Sequence, residues 1–383
     1  TMPTGVENSG WLINGKKPNT ASAPGIVSAE MTWETVRSWN IGFDFGLLNN
    51  RLTGSFDYFV RNTLDMIGPA PQLPATLGAT VPKVNNADMK AWGFEVEVSW
   101  RDRIKDFNYG VKFVLSDDQR KVTRYPNEEL NRNQWYAGRM DGLVWGYETV
   151  GIAKTDAEME AHLASLPNGG QSQLGSKWAA GDIMYKDLNG DGKISSGDGT
   201  LNDLGDLKVV ANTQLRFKYG LTLDASWKGF DFSAFFQGVG KRDVVVGGPY
   251  FWGANGQGMW QAAAFKDHMD YFRPEDTESI FGPNVDAYYP RVIFGGGSSE
   301  GGKNTLTQSR YVQNGAYIRL KNLQLGYTLP STITKKFAVN SLRVYVSGDN
   351  LWTGTKMRVF DPEVLGSTGD AGKAYPLARG WSV

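Results

Sequence analysis

Cysteine is absent from the 383 residues, so the chain has no disulfide framework, no thiolate nucleophile and no cysteine-held zinc. Histidine is nearly absent: His162 and His268 are the only two, too few for a histidine-based metal or proton-transfer centre. Neither sign of charge is in excess, with 40 basic and 40 acidic residues, so no basic field points to nucleic acid. No run of about eighteen apolar residues occurs, which excludes a transmembrane helix. The opening residues, TMPTGVENSGWLING, read as polar loop and not as a signal peptide. What the chain does have is glycine, 47 residues, and aromatics at 13 %. Strands that cross a membrane leave little trace in hydropathy, so none of these absences decides between water and lipid.

Period-two alternation runs through the chain. Trp39, Ile41, Phe43, Phe45 and Leu47 alternate with Asn40, Gly42, Asp44 and Gly46. After the turn Asn49-Asn50-Arg51, Leu52, Gly54, Phe56, Tyr58 and Val60 alternate with Thr53, Ser55, Asp57 and Arg61. The pattern returns at 92–101, 107–116, 217–227 and 230–237. Each segment approaches the roughly 9–11 residues a tilted strand needs to cross a bilayer. One face is nearly free of charge and the other is rich in Asp, Glu, Lys and Gly. A soluble sandwich would set the apolar face on a second sheet; a barrel would set it against lipid. Trp39, Trp92, Trp100, Trp227 and Phe230 sit at segment ends, where an interfacial aromatic girdle lies. Short connections (LNNR, RDRIKD, KG and the longer PSTITKKFAVNS) alternate with long ones at 63–88, 117–142 and 241–315. Short turns on one side and long loops on the other fit a membrane barrel; a compact soluble domain rarely carries such loops. The expected fold is therefore all-β, a transmembrane antiparallel barrel of about ten strands in this stretch.

Candidate chemistry is sparse. DLNGDGKISSGD (187–198) places Asp187, Asn189 and Asp191 at positions one, three and five of a calcium loop. Gly192 takes the turn at position six, Lys193 offers a carbonyl at seven, Ser195 stands at nine, and Asp198 fills position twelve, where an EF-hand has Glu. These residues predict a calcium that braces a long loop at about 153–212; the competing reading is an Asx-rich turn without an ion. A dockerin-like module would need a second copy and a following helix, and GTLNDLGD supplies neither. Thr155-Asp156-Ala157-Glu158 is a capping-box pattern that predicts a surface helix over 155–166. Glu158 and His162 stand four apart on it, without the second histidine a zinc pair needs. GPYFWGANGQGMWQAAAF offers Tyr250, Trp252 and Trp260 as aromatic faces for a sugar, with packing inside the loop as the alternative. Glu95 with Glu97, on one strand face, and Asp117 with Asp118, expected in a loop, carry no catalytic expectation; no Ser-His-Asp set stands out.

Several segments carry a specific resemblance. ETVRSWNIGFDFGLLNNRLTGSFDYFVRNTLDMI, NNADMKAWGFEVEVSW, VWGYETVGIAKTDAEM, GDIMYKDLNGDGKISSGD, WKGFDFSAFFQGVGKRD, AYIRLKNLQLGYTLP, LRVYVSGDNLWT and FDPEV together resemble the SusC/RagA-type TonB-dependent outer-membrane transporters, in the family's order. The resemblance implies that residues 1–383 are the C-terminal part of one barrel domain, within the 22-stranded barrel of such transporters. It places the plug domain, the TonB box and the earlier strands outside this stretch, with long extracellular loops at about 153–212 and 241–315. The stretch ends at Arg379-Gly380-Trp381-Ser382-Val383, within what resembles the closing strand but without the usual terminal aromatic, and is expected to be one piece of a barrel. The implied function is energised import, without catalysis, of a nutrient too large for porins, an oligosaccharide first and an oligopeptide as the alternative. The implied partners are a SusD-like surface lipoprotein, TonB acting through the plug region, the rest of the barrel and outer-membrane lipid. Two other classes are kept beside it: a secreted calcium-binding, glycan-binding β-sandwich and a secreted calcium-dependent hydrolase.

Overall fold

The computed structural model describes residues 6–8, 12, 14–16, 19–21, 31–70, 81–255, 264–294, 299–365, 373 and 375–383. Nine strands form one antiparallel sheet: β1 (Thr35–Leu47), β2 (Leu52–Ile67), β3 (Asn85–Ile104), β4 (Phe107–Arg124), β5 (Arg216–Trp227), β6 (Phe230–Lys241), β7 (Tyr317–Thr328), β8 (Arg343–Thr355) and β9 (Gly380–Ser382). Their order in the sheet is their order in the chain. Every neighbouring pair is thus a hairpin, and β1 and β9 are the two edges of an unclosed barrel wall.

Register explains why the alternation is so regular. Leu47, Leu52, Trp100, Val111, Leu223, Ala234 and Leu323 face one another across seven consecutive strands. A second apolar row runs Phe43, Phe56, Val96, Leu115 and Tyr219. Near the short turns, Phe107, Trp227, Phe230 and Tyr327 make an aromatic row that Val344 continues, with the Phe230 and Tyr327 rings 4.5 Å apart. The opposite face sets Asp57, Glu95, Ser116 and Lys218 in line. Because side chains alternate with period two, one register error would move a whole row to the wrong face. Among the described residues no second sheet packs on the apolar rows, and Trp39, Ile41 and Phe43 on β1 are open. That arrangement removes the sandwich reading, in which those rows would be a covered core.

The strands outrun the alternating segments. β3 has 20 residues and β4 has 18. At about 3.3 Å per residue, both exceed what a bilayer needs. The expected loops at 63–88 and 117–142 accordingly shrink, since β2 continues to Ile67, β3 starts at Asn85 and β4 ends at Arg124. Polar residues that read as loop are cross-strand partners: Arg124 donates to Asp88 (Nε–Oδ2 2.7 Å) and to Asp65 (Nη2–Oδ1 2.7 Å). Asp117 and Asp118, expected in a loop, likewise lie within β4.

The long connections fold into a module at one end of the sheet. Leu207–Asn212 pairs with Leu143–Tyr147, Thr149–Ile152 with Ile183–Tyr185, and Asp243–Val245 with Val312–Asn314. Helix α1 (Asp156–Ala164) starts where the capping pattern placed it, the Thr155 hydroxyl accepting from the Glu158 N–H. Tyr147, Ile183, Tyr185, Ile194, Val244, Phe251, Trp252, Tyr289, Tyr311 and Leu365 form one buried core here. The chain thus has its densest core outside the sheet, in segments that read as loop.

Candidate functional site

The 187–198 turn is built by its own backbone. Asp187 accepts the N–H groups of Gly190 (2.6 Å) and Gly192 (2.9 Å). Asn189 accepts from the Asp191 N–H, and Asp191 accepts from the Lys193 N–H and from the Asn189 amide. Gly190 and Gly192 have φ of 75° and 77°, the left-handed region that glycine enters without strain. Asp187, Asn189 and Asp191 therefore share one turn. Asp198 stands apart, accepting the Thr200 N–H at 2.7 Å. The fully buried carboxylate that does reach the turn is Asp206, which accepts from Leu188 (2.7 Å) and Ser195 (2.7 Å). Burial pushes the Asp206 carboxyl up, with the Asp187 and Asp191 charges adding to the rise against the two N–H bonds. Burial would also raise Asp187, but the Gly192 and Gly190 N–H groups outweigh it and hold that carboxyl low. Among the described residues no three acidic or histidine side chains converge on one point. Of the expected calcium set, Asp187, Asn189, Asp191 and Lys193 are tied into this one turn, and Asp198 is held by Thr200 after it. Asp206, eight residues beyond the motif, was missed because nothing local distinguishes it from the other loop acids.

The aromatic loop divides. Tyr250 is 38 % exposed and stacks on Phe265 at 5.7 Å, whereas Trp252 is 7 % exposed and meets Tyr311 edge-on at 4.6 Å. Both lie on the short helix Pro249–Trp252. Two positions apart on a helix point to nearly opposite sides, so one ring faces out and the other enters the core. Trp252 is thus a packing residue in this structure, and Tyr250 keeps part of its ring at the surface beside Phe265. Trp260 lies outside the described residues. His162, in the last turn of α1, is half-buried against Gln171 (3.2 Å) and burial lowers its pKa, while Glu158, in the first turn, accepts the Lys154 N–H; the two are engaged with different partners.

The charged face of the sheet is a paired wall. Phe59, Arg61, Glu95, Asp118, Arg120 and Lys218 line a hollow of about 500 Å³. Lys218 lies 2.7 Å from Asp118, and Lys112 lies 2.7 Å from Glu97. Asp117, opposite Phe94 and of the same parity as Leu115, lies on the other face and takes a bidentate contact from Arg216 at 2.5 Å. The Asp118 and Glu97 carboxylates are neutralised by fixed partners, an arrangement for a polar channel wall and not for acid–base chemistry. Phe59, Val114 and Phe235 also face this side.

Two networks had no local signal. Asp182, fully buried, accepts from Arg291 (2.6 and 2.8 Å), Asn304 (2.9 Å) and the Ala179 N–H (3.0 Å), and lies 3.0 Å from the fully buried Lys303 ammonium. Lys303 also donates to the Ser176 and Lys177 carbonyls and stands 4.5 Å from the Trp178 ring. The second network joins module to wall: Arg319 on β7 meets Asp361 (2.6 Å) and Glu363 (3.1 Å), Lys321 meets Glu363 (2.9 Å), and Arg242 donates to the Pro362 and Leu365 carbonyls. FDPEV is therefore a strap folded back over the channel side of β6 and β7. Its acidic residues and the basic pair on β7 were each visible in sequence; their meeting was not.

Comparison with known proteins gives this geometry a family. The chain is 28 % identical over 366 residues to TonB-dependent receptor P3 of Formosa agariphila, covering 92 % of the chain and 33 % of that relative. It is 23 % identical over 362 residues to TonB-dependent receptor SusC of Bacteroides thetaiotaomicron, covering 94 % and 32 %. It superposes on the structure of the RagAB peptide transporter with a TM-score of 0.66 at 23 % identity, over 96 % of the chain and 36 % of that one. The RagAB peptide importer in its closed-closed state gives 0.67 at 22 % identity, over 100 % and 38 %. The chain thus spans about a third of the length of the relatives it matches. Residues 1–351 match the family described as TonB dependent receptor-like, beta-barrel, and the chain belongs to that family of outer-membrane proteins of Gram-negative bacteria.

Proposed function

We propose that this chain supplies part of the wall and outer mouth of a TonB-dependent importer for a nutrient too large for porins. The observation that carries the reading is the two-faced sheet: unbroken apolar rows outside, an ion-paired wall inside, and a packed module over one end. Closed by further strands, such a wall satisfies every backbone group in lipid, as a membrane requires. An oligosaccharide is the first cargo proposed, with Tyr250 as a stacking ring. An oligopeptide is the second, favoured by the fold shared with the RagAB peptide transporter. A SusD-like surface lipoprotein is the proposed partner at the module, and TonB the source of energy through a plug.

Cells lacking the protein, grown on single oligosaccharides or on peptides as the limiting nutrient, test the cargo. Loss of growth on glycans alone supports the first reading, and loss on peptides alone replaces it with the second. Unchanged growth on both overturns import of either class. Co-purification of a surface lipoprotein from detergent extracts tests the partner. Calcium at 187–198 is a separate proposal. The carboxylates of Asp187 and Asp191 have lone pairs beyond those taken by their N–H donors, and these are what an ion would use. It predicts protection from proteolysis between Asp182 and Asp206 that chelator removes; cutting that ignores calcium leaves the segment a turn.

A further inference from the structure

The connection between β7 and β8 differs from the others at the short-turn end. Those occupy residues 48–51, 105–106 and 228–229, whereas this one runs from 329 to 342. It folds as a helical turn, Ser331–Thr334, running into a 3-10 turn, Lys335–Phe337, closed by Ala338 at φ 57°. Thr334 is buried beneath it. The apolar side chains are not: Phe337 is 74 % exposed, and Ile333, Val339 and Leu342 are open as well. A turn in water has no reason to present four such residues together.

Their position supplies one. Leu342 lies in step with Val344 and Val346, which pair with Tyr327 and Leu325 in the lipid-facing row. The turn is thus continuous with the surface that meets lipid, and the adjoining Lys228–Gly229 turn is too short to cover it. Residues 329–342 contain Lys335 and Lys336 and no acid. Both lysines are exposed. An apolar edge backed by cations is complementary to the acyl–headgroup boundary of a phospholipid leaflet.

We propose that residues 331–342 form an interfacial foot on the periplasmic leaflet. Ile333 and Phe337 enter the boundary of the acyl chains, and Lys335 and Lys336 bind the phosphates of anionic glycerophospholipids. The foot sets how deep this side of the wall sits and extends the Trp227, Phe230 and Tyr327 row outward. It rests on the barrel reading above, which fixes the short turns on the periplasmic side.

The absence of cysteine from this chain suits the test. Phe337→Cys and Val96→Cys, each carrying a nitroxide, are compared in the protein reconstituted with the rest of its barrel in vesicles of zwitterionic and anionic phospholipid. If the foot is right, collisions with oxygen exceed collisions with a water-soluble nickel complex at both sites, and the label at 337 lies shallower. Nickel dominating at 337 while oxygen dominates at 96 overturns the foot and turns this face toward a soluble periplasmic protein. Nickel dominating at both sites overturns the barrel reading itself. In the same protein, Lys335→Glu and Lys336→Glu should each lower retained anionic lipid, read by mass spectrometry, by roughly fivefold; unchanged retention overturns the phosphate contact.

Discussion

Replacing Asp182 by alanine tests whether the long-loop module is a separately stabilised body. The carboxylate is the shared acceptor of Arg291, Asn304, the Ala179 N–H and the Lys303 ammonium. Its removal takes one of two carboxylates from the fully buried Lys303, leaving Glu300 at 3.1 Å, and takes the bidentate partner from a part-buried Arg291. Breaking a buried ion pair from one side costs about 3–5 kcal/mol where the remaining charge is uncompensated, and Glu300 beside Lys303 puts this case at the lower end. Lys303→Met is the informative contrast. Asp182 then keeps Arg291 in bidentate contact, and what is lost is the contact with the part-exposed Glu300 and a donor to the Ser176 and Lys177 carbonyls, about 1–3 kcal/mol. Hydrogen exchange in detergent-solubilised protein reads both. Module amides around Ile183 and Tyr185 should exchange roughly 10²–10³ times faster in Asp182→Ala and distinctly less so in Lys303→Met, if exchange follows opening of the module. Protection of β3 to β6 should not change. Equal effects of the two variants, or loss of strand protection in step with the module, would refute the reasoning.

Other expectations are briefer. Val96→Arg, in a lipid-facing row, should lower barrel stability by about 2–4 kcal/mol in a membrane-folding titration, while Glu95→Gln on the channel face should not. Trp252→Ala should cost about 3–5 kcal/mol of module stability, as core aromatics do; Tyr250→Ala should leave stability near wild type and alter cargo binding. Glu300 gives a pH dependence whose sign is fixed. The Ser176 hydroxyl, and after it Lys303, hold its pKa down to about 2 from an ordinary 4.5. Its contribution is complete above pH 4.5 and is lost as pH falls toward 2. Module protection should fall across that window in the native protein and flatten in Glu300→Gln.

The amino-acid sequence by itself determined the wall. Alternation at Trp39–Leu47, and again from Phe217 to Trp227, carries its own face assignment because a strand has period two whatever its partners. The Lys228-Gly229 turn likewise carried its hairpin, its two residues taking φ of 45° and 90° as a two-residue hairpin requires. The Thr155 cap and the three oxygens of Asp187, Asn189 and Asp191 were legible for the same reason: each interaction closes within a few residues. Tertiary structure decided the rest. Strand ends beyond Arg61 and Ser116 depend on cross-strand pairs such as Asp65, Asp88 and Arg124, which look like loop until their partners are aligned. Whether Trp252 faced a sugar or a core depended on Tyr311, 59 positions away. Asp182 with Arg291 and Lys303, Asp206 under the 187–198 turn, and Asp361 and Glu363 with Arg319 are long-range acceptors and donors. Composition names such residues as charged, but the field that makes one of them buried and another free exists only once distant segments are packed together.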